Sequence, residues 1–181
     1  MRLAGIVAAA LLLALPALAS ARPLSFGVGL GTTDSENDYD GEANGTKQLF
    51  GRIGITPRLG IQLELQRIED PYTDIRTGTA LLVVELGRSG NLVPILVAGL
   101  GFDTATSDYA EQSGSHKEGG LGLEYRAEGG LTLGVDARLG GRSVDNDYVT
   151  PLREDAIGLW APNGLVEGEY RSARLYAAIR F

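Results

Sequence analysis

The segment from Ala173 to Phe181 constrains the fold more than any other part of the chain. Ala173, Leu175, Ala177, Ile179 and Phe181 are apolar and fall on alternate positions, with Arg174, Tyr176 and Arg180 between them. Successive strand side chains point to opposite faces, so this period of two builds a strand with one wholly apolar face and one cationic face. Such a strand fits a wall between lipid and a polar interior.

The same period recurs along the chain. Leu24, Phe26, Val28 and Leu30 alternate with Ser25, Gly27, Gly29 and Gly31. Leu49, Gly51, Ile53 and Ile55 alternate with Phe50, Arg52, Gly54 and Thr56, and Leu59, Ile61, Leu63 and Leu65 with Gly60, Gln62, Glu64 and Gln66. Ala80, Leu82, Val84 and Leu86 oppose Thr79, Leu81, Val83 and Glu85. The stretch from Val93 to Phe102 is apolar on both faces, and Gly99 and Gly101 set its odd positions inward. Leu121, Leu123 and Tyr125 oppose Gly122, Glu124 and Arg126; Leu131, Leu133, Val135, Ala137 and Leu139 oppose Thr132, Gly134, Asp136 and Arg138. With the terminal segment there are eight strands.

The connections alternate in length. Thr56-Pro57-Arg58, Gly87 to Asn91 and Ala127 to Gly130 have tight-turn chemistry, whereas Thr32 to Lys47, Ile68 to Gly78, Asp103 to Lys117 and Gly141 to Gly168 are long and polar. Short turns at one end and long loops at the other are the outer-membrane barrel pattern; four structureless loops of that size would count against a compact soluble domain. The structural rival is a soluble lipocalin-like barrel, which requires the charged face outside and the apolar face around a ligand.

At the other end, Arg2 precedes an apolar run from Leu3 to Leu15, Pro16 breaks it, and Ala19-Ser20-Ala21 offers a small-residue cleavage site. This reads as a secretory signal peptide over residues 1–21, too short for the roughly 20 residues of a membrane helix, and leaves a barrel domain at 22–181. No later apolar segment is long enough for a membrane helix, so a membrane-spanning mature chain must be a closed barrel. The absence of cysteine excludes disulfides and thiolate metal sites.

Gly119-Gly120-Leu121-Gly122-Leu123-Glu124-Tyr125-Arg126, Pro94 to Phe102 and the aromatic end at Phe181 resemble strands of the small eight-stranded barrels related to the transmembrane domain of outer-membrane protein A and to the outer-membrane protein X/Ail group. The fold expected is all-β: an eight-stranded antiparallel up-and-down transmembrane β-barrel in the bacterial outer membrane. The resemblance implies a monomer surrounded by outer-membrane lipid and lipopolysaccharide, with Phe181 as the signal read by the barrel-assembly machinery. Aromatic girdles, usual in the family, are thin here, with Phe102, Tyr125 and Phe181 as the lipid-facing candidates.

Facing the apolar side to lipid sends Arg52, Glu64, Glu85, Glu124, Arg126, Asp136, Arg138, Arg174 and Arg180 inward. A turn centred near Arg58 sets Arg52 opposite Glu64, and a turn near Gly129 brings Glu124 and Arg126 within direct or diagonal reach of Asp136 and Arg138. Eight strands enclose an interior just wide enough for side chains to fill, so these residues are expected to form a packed ionic plug; the alternative is a narrow, gated ion path.

The net charge of −7 is concentrated in the expected loops, which hold most of the acidic residues. That surface repels nucleic acid and bare anionic lipid headgroups, and attracts divalent cations or basic partners. Tyr39, Tyr72, Tyr109 and Tyr148 each lie near an acid and are candidates for a shared binding crown. Glu36, Asp38 and Asp40, ahead of Gly41, approach a calcium-loop pattern, but Lys47 stands where the bidentate Glu belongs; as an EF-hand the segment fails, leaving a weak Ca²⁺ candidate. No cofactor motif is present.

The lipid A deacylase family resembles this fold and uses His and Ser two apart on a strand, plus a Glu. Here the only histidine, His116, lies between Ser115 and Lys117, with Glu118 two positions on. It is expected in loop three as a solvated side chain, so no nucleophile–base pair is identified. Trp160 and the run from Ala156 to Leu159 are expected to pack loop four. The expected function is non-enzymatic: an envelope-structural role or surface interaction through the loops, with a small porin-like channel as the alternative and a lipid-modifying enzyme third.

Overall fold

The computed structural model describes residues 23–35, 43–69, 74–87, 89–106, 110–144, 150–151 and 167–181. Its strands are β1 (Leu24–Ser35), β2 (Asn44–Thr56), β3 (Leu59–Glu69), β4 (Asp74–Glu85), β5 (Leu92–Thr106), β6 (Ala110–Arg126), β7 (Leu131–Val144), β8 (Thr150–Pro151) and β9 (Gly168–Arg180). Neighbours pair antiparallel, β1 pairs with β9, and β5 pairs with β6, so eight long strands close a barrel; β8 is a two-residue addition beside the start of β6.

The turns between β2 and β3, β4 and β5, and β6 and β7 share one end with Pro23 and Phe181. Gly90 and Gly130 occupy the left-handed region there, with φ of 60° and 85°, which a side chain would strain.

Apolar residues face outward around the whole barrel. Leu30, Leu100, Leu175 and Phe181 are each more than 60% exposed, and Phe102 and Tyr125 share this outer face. A continuous apolar belt of this size belongs against lipid. The rival with the apolar face inside is excluded by this facing. Among the described residues no helix is long and apolar enough to cross a membrane.

The interior is filled by the other parity. On β4 and β5, Leu81, Val83, Val93, Ile95 and Val97 make one apolar wall; Phe50, Tyr176 and Ala178 pack at the turn end, and Ile68, Ile75 and Ala105 near the loop end. Aromatic rings lie on glycine backbone: a Cβ on Gly134 would come 2.2 Å from Tyr176 Cζ, and one on Gly27 would come 2.3 Å from Phe50 Cζ. Only glycine permits that approach.

One expected register is corrected. Arg52 pairs with Gln62, and Glu64 with Phe50. The β2–β3 hairpin closes at Thr56 and Leu59, and a bulge at Ile55 between Gly54 and Thr56 moves the register further. The total shift is two residues, so every side chain keeps its face. Across β6 and β7 the register is the one expected around Gly129: Glu124 pairs with Gly134, Arg126 with Thr132, Asp136 with Gly122 and Arg138 with Gly120. Asp136 is thus only a diagonal neighbour of Glu124, and the bonds of the two pairs run to separate groups, described below.

Strands also reach further toward the loops than the apolar alternation indicates. Asp34, Lys47, Glu69, Asp74, Arg76, Asp103, Glu111, His116, Lys117 and Arg142, expected in loops, all lie on strands. Past the lipid belt the outer face meets water, so polar residues occupy both faces and the hydrophobic marker disappears.

Candidate functional site

The interior charges form three tiers. At the turn end, Glu124 is fully buried. Its Oε1 accepts from Arg52 Nη1 at 2.5 Å and from the Tyr176 hydroxyl at 2.8 Å, and its Oε2 accepts from Arg126 Nη2 at 2.6 Å and Nε at 2.9 Å. Arg126 also donates to Glu85 at 2.6 Å, and Arg52 to Gln62 at 2.6 Å. Arg180 lines the mouth below, where the remaining cavity is about 50 Å³, room for a few waters.

The middle tier centres on Arg138, whose side chain is 1% exposed. It donates five hydrogen bonds to three carboxylates: Glu64 at 2.8 and 2.9 Å, Asp136 at 3.0 Å twice, and Glu118 at 2.6 Å. Arg174 reaches the same Glu64 at 2.8 Å, Gln48 at 2.9 Å and Glu118 at 3.3 Å, while Tyr170 donates to Glu118 at 2.9 Å and Gln62 to Glu64. The glycine opposite Arg138, Gly120, leaves room for its stem: a Cβ there would come 2.8 Å from Arg138 Cγ.

The outer tier corrects the reading of His116. It points inward and is 4% exposed, because it shares the parity of Glu124 and Arg126 on β6 and lies across the bare backbone of Gly101. His116 Nε2 is 3.0 Å from Thr79 Oγ1; Nδ1 is 3.1 Å from Asp103 Oδ1, in ion-pair range but off line for a hydrogen bond. Asp103 accepts from Thr77 and from Arg142 Nε, both at 2.8 Å, and the Arg142 guanidinium lies 5.2 Å over the Tyr170 ring.

Eight of the nine inward charges expected from the sequence therefore join the interior network, in two groups: Arg52, Glu85, Glu124 and Arg126, and Glu64, Asp136, Arg138 and Arg174; the ninth, Arg180, lines the mouth. The sequence reading missed Gln48, Gln62, Asp103, His116, Glu118, Arg142, Tyr170 and Tyr176 as members. Extending the parity of each strand beyond its last apolar residue would have found Asp103, His116, Glu118, Arg142 and Tyr170. Six buried or half-buried carboxylates (Glu64, Glu85, Asp103, Glu118, Glu124, Asp136) thus meet five guanidiniums and one imidazole.

Phe181 lies outside the barrel at the turn end, its backbone N–H donating to the Leu24 carbonyl at 2.8 Å. Tyr39, Tyr72, Tyr109 and Tyr148, the candidate calcium ligands Glu36, Asp38 and Asp40, Trp160, the run from Ala156 to Leu159 and the signal-peptide segment fall outside the described residues. Among the described residues no group of three or more His, Cys, Asp or Glu has metal-site geometry.

On the outer face near the loop end, Lys47 pairs with Glu69 at 2.5 Å, and Asp74 accepts from Arg67 at 2.7 Å and Arg76 at 3.0 Å. The Lys47 hydrogen bond and charge hold the Glu69 carboxyl below its usual range. At Asp74 partial burial pushes upward, but the hydrogen bonds from Arg67 and Arg76 outweigh it and hold this carboxyl low as well.

The sequence model of the outer membrane protein beta-barrel domain matches residues 5–165. No curated protein matches the chain. Among solved structures, Neisserial surface protein A (NspA) is similar at a TM-score of 0.64 and 11% identity, over 90% of this chain and 98% of that one. The N-terminal β-barrel domain of Pseudomonas aeruginosa OprF is similar at 0.52 and 20% identity, over 87% and 97%. The outer membrane enzyme PagL is similar at 0.50 and 17% identity, over 86% and 98%. At these identities the likeness concerns the fold.

Proposed function

Because the chain belongs to the outer membrane protein beta-barrel domain family, we propose that it serves as a non-catalytic, non-conducting barrel of the bacterial outer membrane, a rigid scaffold for the envelope and for the loops it displays. The signal peptide, the assembly machinery acting at Phe181 and the loop tyrosines are parts of this reading. The observation that carries it is the filled interior, where Glu64, Arg138 and Arg174 lock β3, β7 and β9 together across the barrel axis. An ion crossing the barrel would have to break these bonds, and paired buried charges give up their partners at a cost of several kcal/mol. In planar bilayers the purified protein should show no steady conductance of general-porin size. Stable large openings abolished by Arg126→Ala would replace this reading with the channel.

A second reading has one observation in its favour. Thr79, His116 and Asp103 form a hydroxyl–imidazole–carboxylate row with the spacing of a nucleophile, base and orienting acid. Against it, all three are at most 5% exposed, and the Asp103 carboxylate is shared with Thr77 and Arg142. Incubation with outer-membrane lipids should yield no product; turnover that Thr79→Val abolishes would establish the enzyme instead.

A further inference from the structure

The outer face of β2, β3 and β4 carries three cations abreast. Lys47 lies directly opposite Arg67, and Arg67 directly opposite Arg76, with side chains 60%, 60% and 75% exposed. One step toward the turns on the same face the row is Leu49, Leu65 and Gly78, and the next is Gly51, Leu63 and Ala80. These residues form an apolar trough with Gly51, Gly78 and Ala80 as its floor, Phe26 as one wall, and Leu100 and Phe102 as the other. The walls overhang the floor: a Cβ on Gly78 would come 2.7 Å from the Phe102 ring, and one on Gly51 would come 3.4 Å from Phe26.

The position of the cations is informative. A lipid-facing Arg or Lys is costly at mid-membrane and nearly free at the interface, so the row marks where the acyl region ends on the loop side. Among the described residues its acid partners leave donors open. Arg67 gives Asp74 its Nε, Arg76 gives Nε and one terminal nitrogen, and Lys47 has three donors of which Glu69 takes one. Exposed pairs of this kind contribute at most about 1 kcal/mol each, so a phosphate can displace or share them. Asp74, bonded to both arginines, holds their guanidiniums side by side. The row spans two inter-strand spacings, about 10 Å, wider than one phosphate.

We propose that this face binds a multiply phosphorylated, acylated glycolipid of the outer leaflet, with its phosphates on Lys47, Arg67 and Arg76 and an acyl chain in the trough beneath. The inference rests on the reading of the barrel as embedded with its loops outside. It identifies one lipid by two features in register: an anionic headgroup and a chain continuous with it. A soluble anion would use the cations and leave the trough without a role, while a lipid without phosphate would do the reverse.

The test uses the full-length protein folded into phosphatidylcholine nanodiscs and titrated with lipid A bearing both phosphates, with dephosphorylated lipid A and with inorganic phosphate. Bound lipid is read by native mass spectrometry. The triple variant Lys47→Gln, Arg67→Gln, Arg76→Gln should bind phosphorylated lipid A about tenfold more weakly, the loss of roughly one charge-assisted contact, and dephosphorylated lipid A as the parent does. Ala80→Phe, which fills the trough, should weaken both lipids. Lys117→Gln, an exposed outward position on β6, should change neither. If the triple variant does not fold by gel mobility shift, Arg76→Gln alone should reproduce the direction of the effect. Equal affinity of parent and charge variant, equal retention of phosphorylated and dephosphorylated lipid A by the parent, or displacement of lipid A by inorganic phosphate would each overturn the proposal. Failure of the parent to insert into nanodiscs would instead strike the embedded reading on which it rests.

Discussion

Replacing Arg138 by Met keeps much of the side-chain volume and removes the charge from the middle tier. Arg138 is buried and bonded to Glu64, Glu118 and Asp136. In its absence Arg174 is the one remaining guanidinium that the three carboxylates share, at 2.8, 3.3 and 3.6 Å. Breaking a buried pair from one side leaves an uncompensated charge and costs about 3–5 kcal/mol. Glu64→Gln should cost less, about 1–3 kcal/mol, because Arg138 and Arg174 both keep Glu118 and Asp136. The double variant should cost less than the sum of the two, with a coupling of about 0.5–3 kcal/mol. Urea unfolding from lipid vesicles, followed by gel mobility shift and circular dichroism, measures all three. A cost below about 1 kcal/mol for Arg138→Met, or strict additivity in the double variant, would refute the idea that the tier is a closed, interdependent network.

Three further outcomes are expected. Val135 is the central residue of the five apolar positions on the outer face of β7 and Thr132 faces the interior, so Val135→Arg should lose about 2–4 kcal/mol on insertion into vesicles while Thr132→Arg escapes that lipid penalty; equal folded yields would mean the faces are assigned the wrong way round. Gly134→Ala should destabilise the barrel by about 1–3 kcal/mol in the same unfolding assay, because the Tyr176 ring occupies the space of the new Cβ. Deleting Phe181 should leave the protein in the periplasm, and normal outer-membrane levels of the truncated form would remove its role as an assembly signal.

The facing of the strands was legible in the sequence because pleating is a local property: Arg174 and Leu175 must point to opposite sides wherever β9 lies. The order of the strands followed too, since short turns and alternating parity leave an up-and-down ring as the natural closure, and Phe50 fell on the inward parity despite being aromatic. What tertiary structure decided was who meets whom. The partner of Arg52 was expected across the hairpin at Glu64, yet the closure at Thr56 and Leu59 together with the bulge at Ile55 moved the register by two residues, so Arg52 sits opposite Gln62 and reaches Glu124 on the far side of the interior. His116, expected in solvent, is enclosed because β5 and β6 continue pairing beyond the apolar belt. In both cases the deciding term is closure of the barrel, which sets buried charges against strands distant in sequence and requires each to be paired, and no local period carries that information.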